Sequence, residues 1–193
     1  LVKLYIMLAV FDGIEHDTIT DDANVDALLK QMITVSSNEA ANGLLSRIGN
    51  GDGKAAIATV TATAQRYGFT SSEELRTLTG MASGNAVENW TSTRDCGSFL
   101  SQVYAGTLVS KNASERMMQL LLGQTRRTKI PAGVPSGVKV ANKTGELAAV
   151  QNDVAIVFGT HPYVLAVMSS DISSAVAPSQ ITELSRAVWD AAQ

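Results

Sequence analysis

The chain has 193 residues, of which 45% are hydrophobic and 17% charged, and its formal net charge is −3. This length and composition fit one packed globular domain, and the slight acidity excludes the basic face of a nucleic-acid-binding protein. A single cysteine, Cys96, excludes an internal disulfide, and its helical surroundings predict a buried structural thiol. No ligand spacing resembles a metal site, and no metal or other cofactor is expected.

The first predicted element is an apolar helix at residues 1–11, in which Lys3 is the only charged residue. A helix that is apolar all round belongs inside a fold, and this one is too short to span a membrane. Because burying an unpaired ammonium group is costly, Lys3 is paired, deprotonated or functional, or its head reaches water while its stem packs. Asp12-Gly13 is predicted to end the helix, with Gly13 as a left-handed C-cap.

The middle of the chain is predicted to be helical, with one long loop. Apolar periodicity and composition predict helices at 24–35, 39–48, 54–67, 93–107 and 112–122. The loop, 68–91, shows little periodicity, and a loop of this length inside a compact domain is usually functional.

Near the end of the chain, the spacing of apolar residues changes from helical to strand-like. A turn at 131–137 precedes predicted strands at 138–142, 153–158 and 163–168, and a helix at 181–192 closes the chain. The short turn at 159–162 suits an antiparallel hairpin. This order predicts a mixed α/β (α+β) fold with an antiparallel sheet.

Two tripeptides and Lys3 carry candidate chemistry. Ser36-Ser37-Asn38 lies between two predicted helices, where Ser36 with Glu39 fits a capping box, or where a hydroxyl and an amide project into a cleft. Lys143-Thr144-Gly145 is either an ordinary strand end or an edge strand that faces a ligand. In the second case it offers a cation for a carboxylate, a hydroxyl, and a glycine that permits close backbone approach.

Two further groups complete the candidate chemistry. The backbone amide of Glu146, which follows Gly145, could serve as an oxyanion donor. A serine immediately before Leu1 would form S-x-x-K with Lys3, in which a desolvated lysine takes the hydroxyl proton.

The set S-x-x-K, S-x-N and K-T-G resembles the signature of class A β-lactamases and penicillin-binding serine hydrolases. The segments around the motifs, 32–42, 90–95, 130–147 and 152–157, are similar to that family as well. The resemblance implies a β-lactamase/transpeptidase-like fold, with an antiparallel sheet flanked by helices and an all-helical lobe. One catalytic domain would span 1–193, with 13–125 as the mostly helical lobe and 1–12 and 126–193 as central helix, strands and final helix.

The resemblance also implies residue roles. Lys3 would be the general base or a proton-relay partner, Ser36 would relay the proton to the leaving nitrogen, and the Glu146 amide would help to form the oxyanion hole. Four residues would bind substrate: Asn38, Lys143, Thr144 and Gly145. Asn38 would hold a side-chain amide, and the lysine and threonine of K-T-G a carboxylate.

Three departures from the family pattern qualify this expectation. The nucleophile would precede Leu1, so the protein is expected to be longer, with a further helix and strands upstream. Ser37 stands where class A enzymes usually have aspartate. No E-x-x-L-N motif follows Glu73, Glu74 or Glu88, which predicts slow deacylation.

The expected function is that of a serine acyl-transfer hydrolase that acts on β-lactam amides through an acyl-enzyme. A D-Ala-D-Ala carboxypeptidase and a non-catalytic binding domain on the same fold are the alternatives. The expected partner is a β-lactam or a peptidoglycan peptide, without nucleic acid or metal. A monomer is expected, and the resemblance implies an extracellular, periplasmic or cell-surface location.

Overall fold

The computed structural model describes residues 1–78 and 88–193. Within these ranges the helices are α1 (Lys3–Glu15), α2 (Ala23–Thr34), α3 (Asn38–Ile48), α4 (Gly53–Arg66), α5 (Thr93–Ala105), α6 (Lys111–Leu122) and α7 (Ala177–Ala192). The strands are β1 (Lys139–Leu147), β2 (Val150–Phe158) and β3 (Tyr163–Val167), and a short 3₁₀ turn, Ile130–Gly133, precedes them. The predicted α+β class is confirmed.

The three strands form an antiparallel sheet in the order β1-β2-β3. Successive side chains of a strand point to opposite faces. Val154 and Ile156 accordingly join the core shared with the helices, whereas Ala155 and Val157 pack with Ile181 of α7 in a second cluster. The sheet therefore lies between α7 on one face and the helical part of the chain on the other.

Helix α1 runs through the middle of the larger core. Every residue from Lys3 to Gly13 is buried, and α1 packs against α2, α3 and α4. The buried helix predicted for the start of the chain is therefore confirmed. None of the described helices is long and apolar enough to cross a membrane.

Some predicted boundaries are wrong. Gly13 does not cap α1, which continues to Glu15. A side chain on Gly13 would meet Ile19 at 2.8 Å, so the glycine serves close packing. Strand β1 runs through K-T-G to Leu147 instead of ending before it, because pairing with β2 overrides the weak alternation of its sequence. Residues 79–87 of the predicted loop lie outside the described residues.

Candidate active site

Lys3 lies at the first turn of α1 and is held by the corner between α2 and α3. Its Nζ donates hydrogen bonds to the backbone oxygen of Ser36 at 2.5 Å, to Ser36 Oγ at 3.2 Å and to Asn38 Oδ1 at 2.7 Å. Burial, helped by the positive charge of Arg126, lowers the pKa of Lys3 to about 8. Lys3 is therefore both paired and far easier to deprotonate than an ordinary lysine.

The corner that presents Ser36 is built by its neighbour. Ser37 is the N-cap of α3: its Oγ accepts a hydrogen bond from Ala40 N at 3.0 Å and donates one to Glu39 at 2.9 Å. The capping-box interpretation of Ser36 is therefore wrong. Ser36 instead has φ of 62°, a strained left-handed conformation that costs of order 1–3 kcal/mol and that clusters at functional sites.

Lys143 reaches the same hydroxyl from the sheet. Its Nζ donates to Ser36 Oγ at 3.0 Å and to the backbone oxygen of Thr144 at 2.7 Å. Burial, together with the charges of Lys3 and Arg126, lowers the pKa of Lys143 to about 7. The hydroxyl of Ser36 thus lies between two amines that both lose protons easily, and it can pass a proton between them.

Gly145 brings the edge of the sheet against the start of α1. A β-carbon on Gly145 would lie 2.9 Å from the backbone nitrogen of Leu1 and 3.0 Å from its Cγ. Only a glycine lets the strand pass this close. The predicted residues Lys3, Ser36, Asn38, Lys143, Thr144 and Gly145 therefore meet where β1, α1 and the α2–α3 corner converge. The role of the Glu146 amide as an oxyanion donor stays a prediction.

The side chain of Glu146 forms ion pairs with two basic residues. Lys129 donates to its Oε1 at 2.8 Å, and Arg126 pairs with its Oε2. Burial opposes ionisation of Glu146, but the hydrogen bond from Lys129 and the charges of Lys129 and Arg126 outweigh it and lower its pKa. The family resemblance implies a role for the backbone of Glu146 only.

Glu74 is the site residue that sequence reasoning missed. The residue is only 3% exposed; its Oε1 accepts a hydrogen bond from Asn89 Nδ2 at 3.0 Å, and within the described residues its Oε2 has no hydrogen-bond partner. Thr61 Oγ1 holds the backbone of Glu74 by two hydrogen bonds of 3.0 Å. Glu74 and Lys3 lie close enough for each charge to shift the pKa of the other.

The environment of Glu74 makes it a candidate base near neutral pH. Burial raises its pKa to about 7, and the charges of the Leu1 amino group, of Arg76 and of Lys3 offset this only in part. The E-x-x-L-N pattern does not reveal Glu74, because its amide partner, Asn89, lies fifteen residues further along the chain. The available signal was the acidic pair Glu73-Glu74 at the start of a long loop. Within the described part of the chain, no cluster of three potential ligands could hold a metal.

Solved structures with the same fold define the class. The chain is similar to a β-lactamase from Sphaerobacter thermophilus, with a TM-score of 0.86 and 21% identity over 99% of this chain and 81% of that one. It is also similar to the TLA-3 extended-spectrum β-lactamase, with a TM-score of 0.86 and 21% identity over 98% of this chain and 82% of that one. For PBP-A the TM-score is 0.81, with 21% identity over 98% and 78%. The fold is therefore that of the β-lactamase-like hydrolases.

The sequence itself places the chain within that class. A family model described as the β-lactamase enzyme family matches residues 20–192, and the chain belongs to this family. No curated protein sequence matches it significantly.

Proposed function

We propose that this protein is a serine hydrolase that opens β-lactam amides through an acyl-enzyme and releases the product with Glu74 as general base. The observation that carries the proposal is the convergence of Lys3, Ser36 and Lys143 through direct hydrogen bonds. A second candidate base, the carboxylate of Glu74, lies near enough for its charge to act on Lys3. Family membership and a neighbouring structure, a PBP-A variant solved as an acyl-enzyme with penicillin G, support the acylation half.

In the proposed acylation, the nucleophile is a serine three residues before Lys3. Its Oγ attacks the carbonyl carbon of the amide while its proton moves to Lys3 Nζ. The backbone amide of Glu146 would stabilise the oxyanion. The C–N bond then breaks, and the proton reaches the leaving nitrogen through the hydroxyl of Ser36.

In the proposed deacylation, Glu74 takes a proton from water. The resulting hydroxide attacks the ester carbonyl, the C–O bond to the serine breaks, and the proton that Glu74 accepted returns to the serine oxygen. A carboxylate whose pKa lies near 7 suits this task, because about half of it is ionised at neutral pH and the ionised form is basic enough to accept a proton. In this proposal the buried Glu74 supplies the base that the E-x-x-L-N glutamate supplies in class A enzymes. It therefore favours hydrolysis of the acyl-enzyme over a permanently acylated protein.

The test is mass spectrometry of the full-length protein during incubation with labelled benzylpenicillin. A transient adduct with released penicilloate supports the proposal. A persistent adduct contradicts the hydrolytic half and favours a penicillin-binding carboxypeptidase. Failure to form any adduct contradicts the acyl-transfer mechanism and favours the non-catalytic binding domain.

Glu74→Gln tests the assigned base. Glutamine keeps the shape and can still accept the hydrogen bond from Asn89, but it cannot take a proton. We expect acylation to persist and deacylation to slow by about 10²- to 10⁴-fold, so that the adduct accumulates. In the unchanged protein, the deacylation rate should rise as the pH increases through about 7.

Glu73→Gln is the matched control for this variant. Glu73 is exposed and adjacent in sequence, so its replacement should leave the adduct transient. Rapid turnover by Glu74→Gln would exclude Glu74 as the hydrolytic base.

A further inference from the structure

Three charged residues next to K-T-G form a compact cluster. Glu146 accepts one hydrogen bond from Lys129 at 2.8 Å and pairs through its other oxygen with Arg126. Lys129 is only 1% exposed and also donates to the backbone oxygen of Asn152 at 3.3 Å. The side chain of Arg126 is 47% exposed. Lys129 is thus a fixed partner of Glu146, and Arg126 is one that solvent or a ligand can reach.

The cluster is electrostatically part of the active site. Glu146 directly follows K-T-G on β1, and the positive charge of Arg126 lowers the pKa of both Lys3 and Lys143. The guanidinium pairs with the residue that directly follows K-T-G, and it therefore lies near the end of the site at which Lys143 and Thr144 would bind a carboxylate. Its planar fork of donors suits a carboxylate better than any other side chain does.

We propose that Glu146 is a specificity-determining residue, which holds Arg126 and so weakens the binding of substrates that carry a carboxylate next to the scissile amide. This inference rests on the proposed function. A substrate carboxylate that recruits Arg126 has to compete with Glu146 for the same donors. The carboxylate of Glu146 also repels it. The Glu146–Arg126 pair thereby shifts the preference of the site toward substrates that carry a neutral group, such as an ester or an amide, in place of the carboxylate.

A purely structural role for Glu146 makes a different prediction. If Glu146 only neutralised the buried Lys129, its replacement would lower stability and would alter acylation of charged and neutral substrates alike. The discriminating quantity is therefore the ratio of acylation rates for an acid and for its ester.

The experiment compares second-order acylation rate constants of benzylpenicillin and its methyl ester with the full-length protein. We expect Glu146→Gln to raise the ratio of the acid rate to the ester rate by about fivefold, the scale of one partly exposed ion pair. The double variant Glu146→Gln/Arg126→Gln should lose this gain. Glu115→Gln, an exposed residue on α6, is the control and should change neither rate.

Arg126→Gln alone keeps the test valid if Glu146→Gln folds poorly, because it leaves the Glu146–Lys129 pair intact. Since Glu146 already occupies Arg126, we expect the acid-to-ester ratio of this variant to stay within about twofold of that of the unchanged protein. Loss of the Arg126 charge, which helps to lower the pKa of Lys3, should slow the acylation of both substrates alike. A tenfold loss confined to the acid would overturn the proposal, as would an acid-to-ester ratio unchanged by Glu146→Gln.

A binding measurement separates this inference from the proposed function. Phenylacetate and phenylacetamide are titrated by chemical-shift perturbation, which requires no acylation. Tighter binding of phenylacetate to Glu146→Gln than to the unchanged protein, with equal phenylacetamide binding, supports the inference even if benzylpenicillin forms no adduct. Equal phenylacetate binding overturns it even if acylation proceeds.

Discussion

Ser36 Oγ is the acceptor shared by two lysines, and burial lowers the pKa of both. Lys3 and Lys143 approach the hydroxyl to 3.2 and 3.0 Å. Two protonated amines this close repel each other, and burial removes the water that would otherwise screen them. At least one of them is therefore neutral over much of the working pH range, as a general base must be.

The first prediction at this scale concerns Lys3. Because burial and Arg126 lower the pKa of Lys3 to about 8, its neutral fraction grows as the pH rises through that value, and the acylation rate should rise with it. We expect Lys3→Ala to lose about 10²- to 10⁴-fold in acylation. Labelled benzylpenicillin and stopped-time mass spectrometry between about pH 6 and pH 10 measure both effects.

Lys3→Arg is the control, because arginine keeps the positive charge but cannot be deprotonated in proteins. It should be as slow as Lys3→Ala. Normal labelling of either variant, in protein that still unfolds cooperatively, would show that another group is the base.

Among single residues, Glu74 is the one whose place in the site the sequence did not predict. Lys3, Ser36, Asn38 and the K-T-G residues were found because their spacing follows the chain. Asn89, near the other end of the loop, holds the carboxylate of Glu74, and Thr61 in α4 holds its backbone. Such long-range anchoring leaves no local pattern, so only the folded structure brings the carboxylate to the site.

At the scale of elements, the helices were predictable and β1 was only partly so. The periodic apolar faces of α2 and α3 appear directly in the sequence. Strand β1 instead contains a buried polar run: Asn142 donates to Asp153 at 3.0 Å, and Lys143 and Thr144 are buried beside it. These polar residues interrupt the alternation of apolar and polar side chains that would identify a strand. Their burial is explained by their hydrogen-bond partners, which only the folded structure shows.

The contact between β1 and α1 leads to the second prediction. Gly145→Ala would place a β-carbon 2.9 Å from the backbone nitrogen of Leu1, and the backbone cannot yield as a flexible side chain would. We expect a loss of about 1–3 kcal/mol in stability and at least about a tenfold loss in acylation, because a displacement of about 1 Å at the reacting centre is costly. Chemical denaturation and the labelling assay measure the two effects.

Gly97→Ala is the matched control. Gly97 lies in α5, where an added β-carbon meets nothing within 4 Å, so alanine should raise helix stability slightly, by about 0.5–1 kcal/mol. If Gly145→Ala behaved like this control, the close approach of strand and helix would not be needed for activity.

At the scale of the whole molecule, α1 connects the helices to the sheet. Its buried residues belong to one cluster that also includes Ala141 of β1 and Val154 and Ile156 of β2. The network that holds Asp12 near the other end of α1, with Arg66 and with Tyr67 at 2.9 Å, ties it to α4 as well. The site therefore depends on a helix whose packing involves both parts of the fold.

This shared core predicts cooperative unfolding. Leu8 is fully buried in the middle of α1, and Leu8→Ala should cost about 2–5 kcal/mol because it removes methyl groups and leaves a cavity. Since helices and sheet pack on the same helix, we expect circular dichroism, which follows the helices, and the fluorescence of Trp189 in α7, recorded in a Trp90→Phe background, to report a single transition. Leu184→Ala, at a side chain 47% exposed on α7, should shift it by less than about 1 kcal/mol. Two separated transitions in Leu8→Ala would show that the helical part and the sheet are stabilised independently, and that α1 does not couple the base at Lys3 to the strand that carries K-T-G.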